Sequence, residues 1–227
     1  MLESMPLLPF QPVPLGRIRE PFSDPDWSFE VKWDGFRGVA HVEGGRCRLT
    51  SRNGNEFKSF PALTASLPAE LYARLAVLDG EIVALDRHGK TQFKDLLFRR
   101  GEPRFYAFDP LWLDGEDLRN LPLIERKLRL RSVVPGNHGE RLLFCDHIDG
   151  NGEGLFRLAC EHDLEGIVAK WKSGSYLPDR ETTWLKIRNR NYSQWLGREE
   201  LFERKRGGDP DFRGWDGCVR ACAAAQI

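Results

Sequence analysis

The sequence predicts an α+β domain built mainly from antiparallel sheets flanked by helices, and two observations carry that expectation. Segments with strand character outnumber helical ones, without the regular alternation that a doubly wound parallel sheet requires. Turn signals such as Glu43-Gly44-Gly45 and Asp114-Gly115 punctuate the strand-like runs. The chain has 227 residues, enough for one large domain or two small ones with a real core. Hydrophobic residues at 41% and charged residues at 30% are ordinary for a soluble globular protein and argue against a disordered chain.

Taken in order, the proline-rich residues 1–26 read as an extended arm laid over the surface, because proline joins sheet and helix interiors poorly. Trp27 to Lys32, Phe36 to Val42 and Arg46 to Thr50 read as strands, and Ser51-Arg52-Asn53-Gly54 as an exposed turn. Phe60-Pro61 opens a short helix to Leu67 with apolar positions at Phe60, Leu63 and Leu67. Leu75 to Asp79 and Glu81 to Asp86 are strand-like, broken at Asp79-Gly80. Thr91 to Phe98 reads as a helix and Arg104 to Leu113 as an aromatic-rich strand. Pro122 to Val133 has a helix-starting proline and amphipathic spacing, and its Arg126, Lys127, Arg129 and Arg131 read by default as a solvated face. Arg141 to Ile148 is expected as a strand, Asn151 to Asp163 as a helix, and Glu165 to Trp171 and Thr182 to Arg188 as strands. A polar, charged tail follows, with a helix expected over Arg198 to Arg206.

Charge and cysteine content bound the partners and the compartment. Lys plus Arg and Asp plus Glu both number 34, so a polyanion would have to meet a local basic patch rather than the whole surface. Cys47, Cys145, Cys160, Cys218 and Cys222 are odd in number and scattered, which points to reduced thiols in the cytoplasm. The N-terminus lacks the basic start and apolar core of a secretory leader, and no run suits a membrane span. Cys218 and Cys222 lie four apart without the second pair or neighbouring His of a zinc set.

The stretch around which the chain is organised is Phe29-Glu30-Val31-Lys32-Trp33-Asp34-Gly35-Phe36-Arg37. In an extended segment Glu30, Lys32 and Asp34 share one face, so a lysine stands between two carboxylates. Such carboxylates can orient an amine or hold a metal, and nearby cations favour the neutral nucleophilic amine. A salt-bridged surface strand followed by a turn is the plain alternative. In Thr182 to Arg188, Trp184, Lys186 and Arg188 share a face that suits a phosphate-binding wall.

Lys32-Trp33-Asp34-Gly35-Phe36-Arg37 resembles the Lys-x-Asp-Gly-x-Arg nucleophile motif of the covalent nucleotidyltransferases: ATP-dependent DNA ligases, RNA ligases and mRNA capping enzymes. Further signatures follow in family order. They are Ser51 to Gly54, Leu78-Asp79-Gly80-Glu81, Phe105-Tyr106-Ala107-Phe108-Asp109, Glu165-Gly166-Ile167-Val168-Ala169-Lys170 and Trp184-Leu185-Lys186-Ile187-Arg188. The wording of Leu78 to Asp86 and Phe105 to Gly115 is most similar to bacterial ATP-dependent ligases of the double-strand-break repair type.

The resemblance implies a nucleotidyltransferase (ATP-grasp-like) adenylation domain over 27–190. It implies ATP as AMP donor, Mg2+ or Mn2+ as metal, and nicked duplex DNA as partner of a monomeric, nucleoid-associated protein. Lys32 would carry AMP as a phosphoramide, with Val31 beside it and Glu30 reading the adenine amino group. Arg37 and Arg52 would hold ribose and phosphate. Phe108 and Val168 would cover the two purine faces, and Lys170, Lys186 and Arg188 would bind phosphates. Glu165, Glu81 and Asp34 would serve a metal, Glu81 lying near the ribose or that metal. Taken singly, Phe108 reads first as a core aromatic and Glu165 as a strand-end salt bridge; their place in the motif order reverses both readings.

Fewer than forty residues follow Arg188, whereas five strands and their loops need about 45. An OB domain is therefore not expected in 191–227. That tail carries a basic and aromatic mix, including Trp195, Arg198, Arg204, Lys205 and Trp215, which suits either a nucleic-acid backbone or a solvated helix. A core-only ligase, or one whose DNA clamp comes from a partner protein, is the expected reading. An RNA ligase, a capping-type enzyme or a non-catalytic nucleotide-binding subunit are the alternatives.

Overall fold

The computed structural model describes residues 10–134, 140–177 and 182–195. Two sheets face each other. The first has the order β1 (Gly16–Arg17), β11 (Trp184–Arg188), β10 (Gly166–Trp171), β2 (Trp27–Val31) and β9 (His147–Asp149). The second runs β4 (Arg46–Ser51), β3 (Phe36–Glu43), β5 (Leu75–Ala84), β6 (Pro103–Leu113) and β7 (Glu116–Asp117), with β8 (Leu142–Phe144) also paired to β6. Among the described pairings only β1 with β11 and β6 with β8 are parallel, as an α+β fold of direct strand connections predicts.

Helices cover the outer faces. The helices α1 (Pro61–Glu70) and α2 (Phe93–Leu97) add Leu63, Leu67, Phe93 and Leu96 to the core outside the second sheet, beside Phe36, Leu49 and Phe105. The helix α4 (Gly152–Glu161), capped where Asn151 accepts from the Gly154 amide at 3.0 Å, covers Phe29, Ile167 and Ile187 of the first sheet. A third cluster lies between the sheets and includes Phe10, Val13, Val77, Phe108, Leu111, Tyr176 and Trp184. The remaining helix, α3 (Leu123–Val133), contributes Leu123 to that cluster and Leu130 to the outer core.

Several sequence expectations need correction. The described part of the N-terminal arm is not laid over the surface: Phe10 and Val13 are buried, and Gly16 and Arg17 pair with Leu185 and Lys186. Proline kept the sequence reading from seeing a short strand whose partner lies far along the chain. Leu75–Ala84 is one strand rather than two, because register shifts at Val77/Leu78 and Asp79/Gly80 absorb the irregularity that Asp79-Gly80 signals. Arg141 to Ile148 is not one strand: β8 and β9 belong to different sheets and are separated by Cys145 and Asp146. The second helix is shorter than expected, five residues. Of the four cations assigned to a solvated face on α3, Arg126 and Lys127 are buried. The proposed helix over Arg198 to Arg206, and Cys218 and Cys222, lie outside the described residues.

Candidate active site

The cleft between the sheets is lined by Leu15, Glu30, Val31, Lys32, Trp33, Arg37, Glu81, Phe108, Val168, Lys170 and Trp184, which arrive from six strands and the segments flanking them. β2 ends at Val31, so strict alternation also ends there, and Val31, Lys32 and Trp33 all reach the cleft. Gly35 follows because a Cβ at that position would stand 2.0 Å from the Ile82 carbonyl oxygen.

Lys32 does not take its partner from its own strand. Its Nζ lies 2.5 Å from Glu165 Oε2, a residue 133 positions along the chain. The backbone around Glu165 fixes this geometry: Lys32 N donates to the Gly166 carbonyl at 2.9 Å, and Asn189 N donates to that of Glu165 at 3.0 Å. Gly166 holds φ +138°, and a Cβ there would sit 2.1 Å from the Ile187 carbonyl oxygen. The two strands therefore close tightly enough to set Glu165 under the amine.

Glu81 adds a second carboxylate. Burial, with Glu165 and Asp34 nearby, pushes its pKa up to about 8 against the pull of Lys32 and Arg37. Asp34 is itself buried, and Tyr192 donates to its Oδ2 at 2.9 Å from the segment after β11. Among the described residues no three His, Cys, Asp or Glu side chains form a ready metal cage. One or two of these carboxylates with the phosphates of a nucleotide suit Mg2+, which binds in that manner rather than in an all-protein cage.

The aromatic wall follows from a bulge. Asp79 pairs with Asp109 and Gly80 with Ala107, so Phe108 is the extra residue in β6 and is re-aimed into the cleft. Val168 is on β10 of the opposite sheet. Glu30 lies below, its Oε1 2.5 Å from Lys127 Nζ and its Oε2 2.7 Å from Lys170 Nζ. Burial works to raise the Glu30 pKa, yet the two ammoniums hold it below the usual carboxylate range.

Other expected site residues stand differently. Arg37 lines the cleft, but its guanidinium is already bound by Asp79 at 2.7 and 3.1 Å and donates to the Val13 carbonyl at 2.8 Å. Tyr176 completes this latch by donating to Asp79 at 2.6 Å. Arg52 is exposed in its turn, and Lys186 and Arg188 lie outside the cleft lining. Sequence reasoning missed Lys127, Tyr192, Leu15 and Trp33 as cleft or cleft-supporting residues, whereas Trp184, placed on the Lys186 face of β11, does line the cleft. Strict alternation set Trp33 on the face away from Lys32; Lys127, Tyr192 and Leu15 are brought in by packing between distant segments.

A sequence model described as the ATP dependent DNA ligase domain matches residues 14–188. The multifunctional non-homologous end joining protein LigD of Pseudomonas aeruginosa is 35% identical over 169 residues, covering 72% of this chain and 20% of LigD. The SPbeta prophage-derived DNA ligase-like protein LigB of Bacillus subtilis is 31% identical over 194 residues, covering 82% of this chain and 69% of LigB. The chain thus spans about a fifth of the LigD relatives' length. Among solved structures, mycobacterial DNA ligase D complexed with ATP and MES superposes with a TM-score of 0.66 at 28% identity, over 78% of this chain and 60% of that one. Chlorella virus DNA ligase-adenylate shares the fold, with a TM-score of 0.57 at 16% identity over 79% of this chain and 69% of that one. The Lys32-to-Arg37 stretch, the cleft and sequence kinship agree: this chain belongs to the ATP-dependent DNA ligase domain family.

Proposed function

We infer that this chain is a ligase core that accepts AMP from ATP on Lys32 and passes it to the 5′-phosphate at a nick in DNA, in a repair setting. The observation that carries this is the Lys32 amine, 2.5 Å from Glu165 at an aromatic-lined cleft that also holds Glu30, Glu81 and Lys170. In the first step the Lys32 ammonium gives a proton to solvent, the freed amine attacks the α-phosphorus, a P–N bond forms as the P–O bond to the departing pyrophosphate breaks, and a second proton leaves the nitrogen for solvent. Glu165 holds the amine in place and takes part of its charge, so the nucleophile is positioned before the nucleotide arrives.

Phe108 and Val168 would cover the two faces of the purine. Arg37, Lys170 and, on closing of the site, Lys186, Arg188 and Arg52 would meet phosphate and ribose oxygens. Glu81, Glu165 and Asp34 would hold Mg2+ together with those phosphates. A bound divalent ion would offset charge developing at phosphorus and draw Glu81 into its ionised form. In the later steps the same pocket serves transfer of AMP to the 5′-phosphate and its displacement by the 3′-hydroxyl, since all are in-line displacements at phosphorus. A clamp protein on the duplex, and a monomeric chain on DNA, complete the proposal.

The test is incubation with ATP labelled at the α-phosphate and Mg2+, followed by addition of nicked duplex DNA. A labelled protein band that is lost in Lys32→Ala, and a label that moves to the nick, is the expected result. ATP binding without a covalent band would leave a nucleotide-binding subunit instead.

A further inference from the structure

Glu30 has more positive charge around it than its own ionisation calls for. Its carboxylate is 2% exposed, and Lys127 and Lys170, the cations on its two oxygens, are 3% and 1% exposed. The two lysines are not equivalent. Lys127 also donates to the Cys145 carbonyl at 2.9 Å and lies 4.9 Å from the centre of the Phe144 ring, so it is anchored behind the cleft by α3 and β8. Lys170 lines the cleft itself, its Nζ 4.4 Å from the centre of the Phe108 ring and 3.9 Å from that of Trp184. It occupies the aromatic surface on which a purine would stack.

Space supports the same distinction. The cleft holds a cavity of about 50 Å³, room for a few waters at roughly 10–15 Å³ each, with the Lys170 ammonium standing over its aromatic surface. Moving a flexible ammonium opens it with less disturbance than moving two packed rings. Lys170 can leave, however, only if Glu30 keeps another counter-ion, because an unpaired buried carboxylate is strongly unfavourable.

We propose that Lys127 is a positioning residue for nucleotide selection: as the permanent counter-ion of Glu30, it lets Lys170 move to the incoming phosphates and frees one Glu30 oxygen to accept the purine's 6-amino group. This rests on the adenylylation reading above. Lys127 itself touches neither base nor phosphate.

The experiment compares labelling of the full chain by ATP with labelling by purine riboside triphosphate, which lacks the 6-amino group. Lys127→Met should raise the ATP concentration for half-maximal labelling about tenfold or more, leave the saturating rate near that of the unaltered chain, and shrink the preference for ATP over the analogue. Lys127→Arg, which keeps the cation, should restore the preference. In a Glu30→Gln background no counter-ion is needed, so adding Lys127→Met should change half-saturation by less than about threefold. That double variant carries the test if Lys127→Met alone does not fold. Unchanged half-saturation and selectivity in Lys127→Met, or a full tenfold effect retained in the Glu30→Gln background, would overturn the proposal. Labelling of the unaltered chain in the same experiment shows that such a failure belongs to Lys127; no label at all on that chain removes both readings together.

Discussion

Two ion pairs within this fold illustrate opposite uses of charge. Arg126 and Asp109 are both 0% exposed, joined by two hydrogen bonds at 2.7 and 2.8 Å, and the guanidinium Nη1 donates to the Leu121 and Gly174 carbonyls. Lys32 and Glu165 meet through a single contact at 2.5 Å, and the lysine side chain is 18% exposed on the cleft. The first pair is saturated and sealed, so it can only hold α3, β6 and the Gly174 turn together. The second leaves an amine accessible on a flexible stem. Saturation and access, rather than charge itself, separate the two pairs.

The largest expected difference between them is in labelling. Lys32→Ala should remove the labelled band entirely, while lowering stability by about 1–3 kcal/mol, because the buried Glu165 carboxylate loses its cation. A large loss of stability would place Lys32 with the sealed pair. Arg126→Met should behave in the opposite way, costing about 3–5 kcal/mol by stranding Asp109. Chemical denaturation reads it directly, and any folded fraction should still label.

Acid provides an intermediate test that touches neither pair. His41 lies against Thr50 and Phe10 on β3, and burial, with Arg48 nearby, lowers its pKa to about 4. The unfolded chain takes up that proton first as pH falls below about 6.5. Stability is therefore fully present above 6.5, declines toward pH 4 and levels off below it, for a loss of about 3 kcal/mol from this group. Denaturation midpoints across that window should show the decline, and His41→Gln should flatten it.

The smallest effect is expected at Tyr192, whose hydroxyl reaches Asp34 from beyond β11. Tyr192→Phe should lower stability by only about 1 kcal/mol. If Asp34 acts with the metal, the same change should raise the Mg2+ concentration needed for half-maximal labelling. An unchanged metal requirement would assign this contact to folding alone.

Much of this was legible from local rules. The hairpin of β3 and β4 follows from strand runs joined at Gly44 and Gly45, both at positive φ, and α4 begins where Asn151 caps it. Phe108, Val168, Lys170, Glu30 and Glu81 were named from motif order and do line one cleft. Arg126 and Lys127 were misread because helical spacing gives the angle of a side chain about its own axis, not what a sheet and a distant turn bring to that side. Proline content hid β1 for the same reason, since its pairing partner lies beyond residue 180.

The sequence by itself determined the chemical inventory: an amine beside acidic groups, aromatic and aliphatic side chains for a flat ligand, and strand-and-turn segments that favour direct antiparallel connection. Tertiary structure alone decided which carboxylate faces Lys32, which cations hold Glu30, and that Arg37 is latched to Asp79. The physical reason is range. Backbone preferences act over a few residues, whereas ion-pair partners are chosen by burial between sheets whose strands come from opposite ends of the chain.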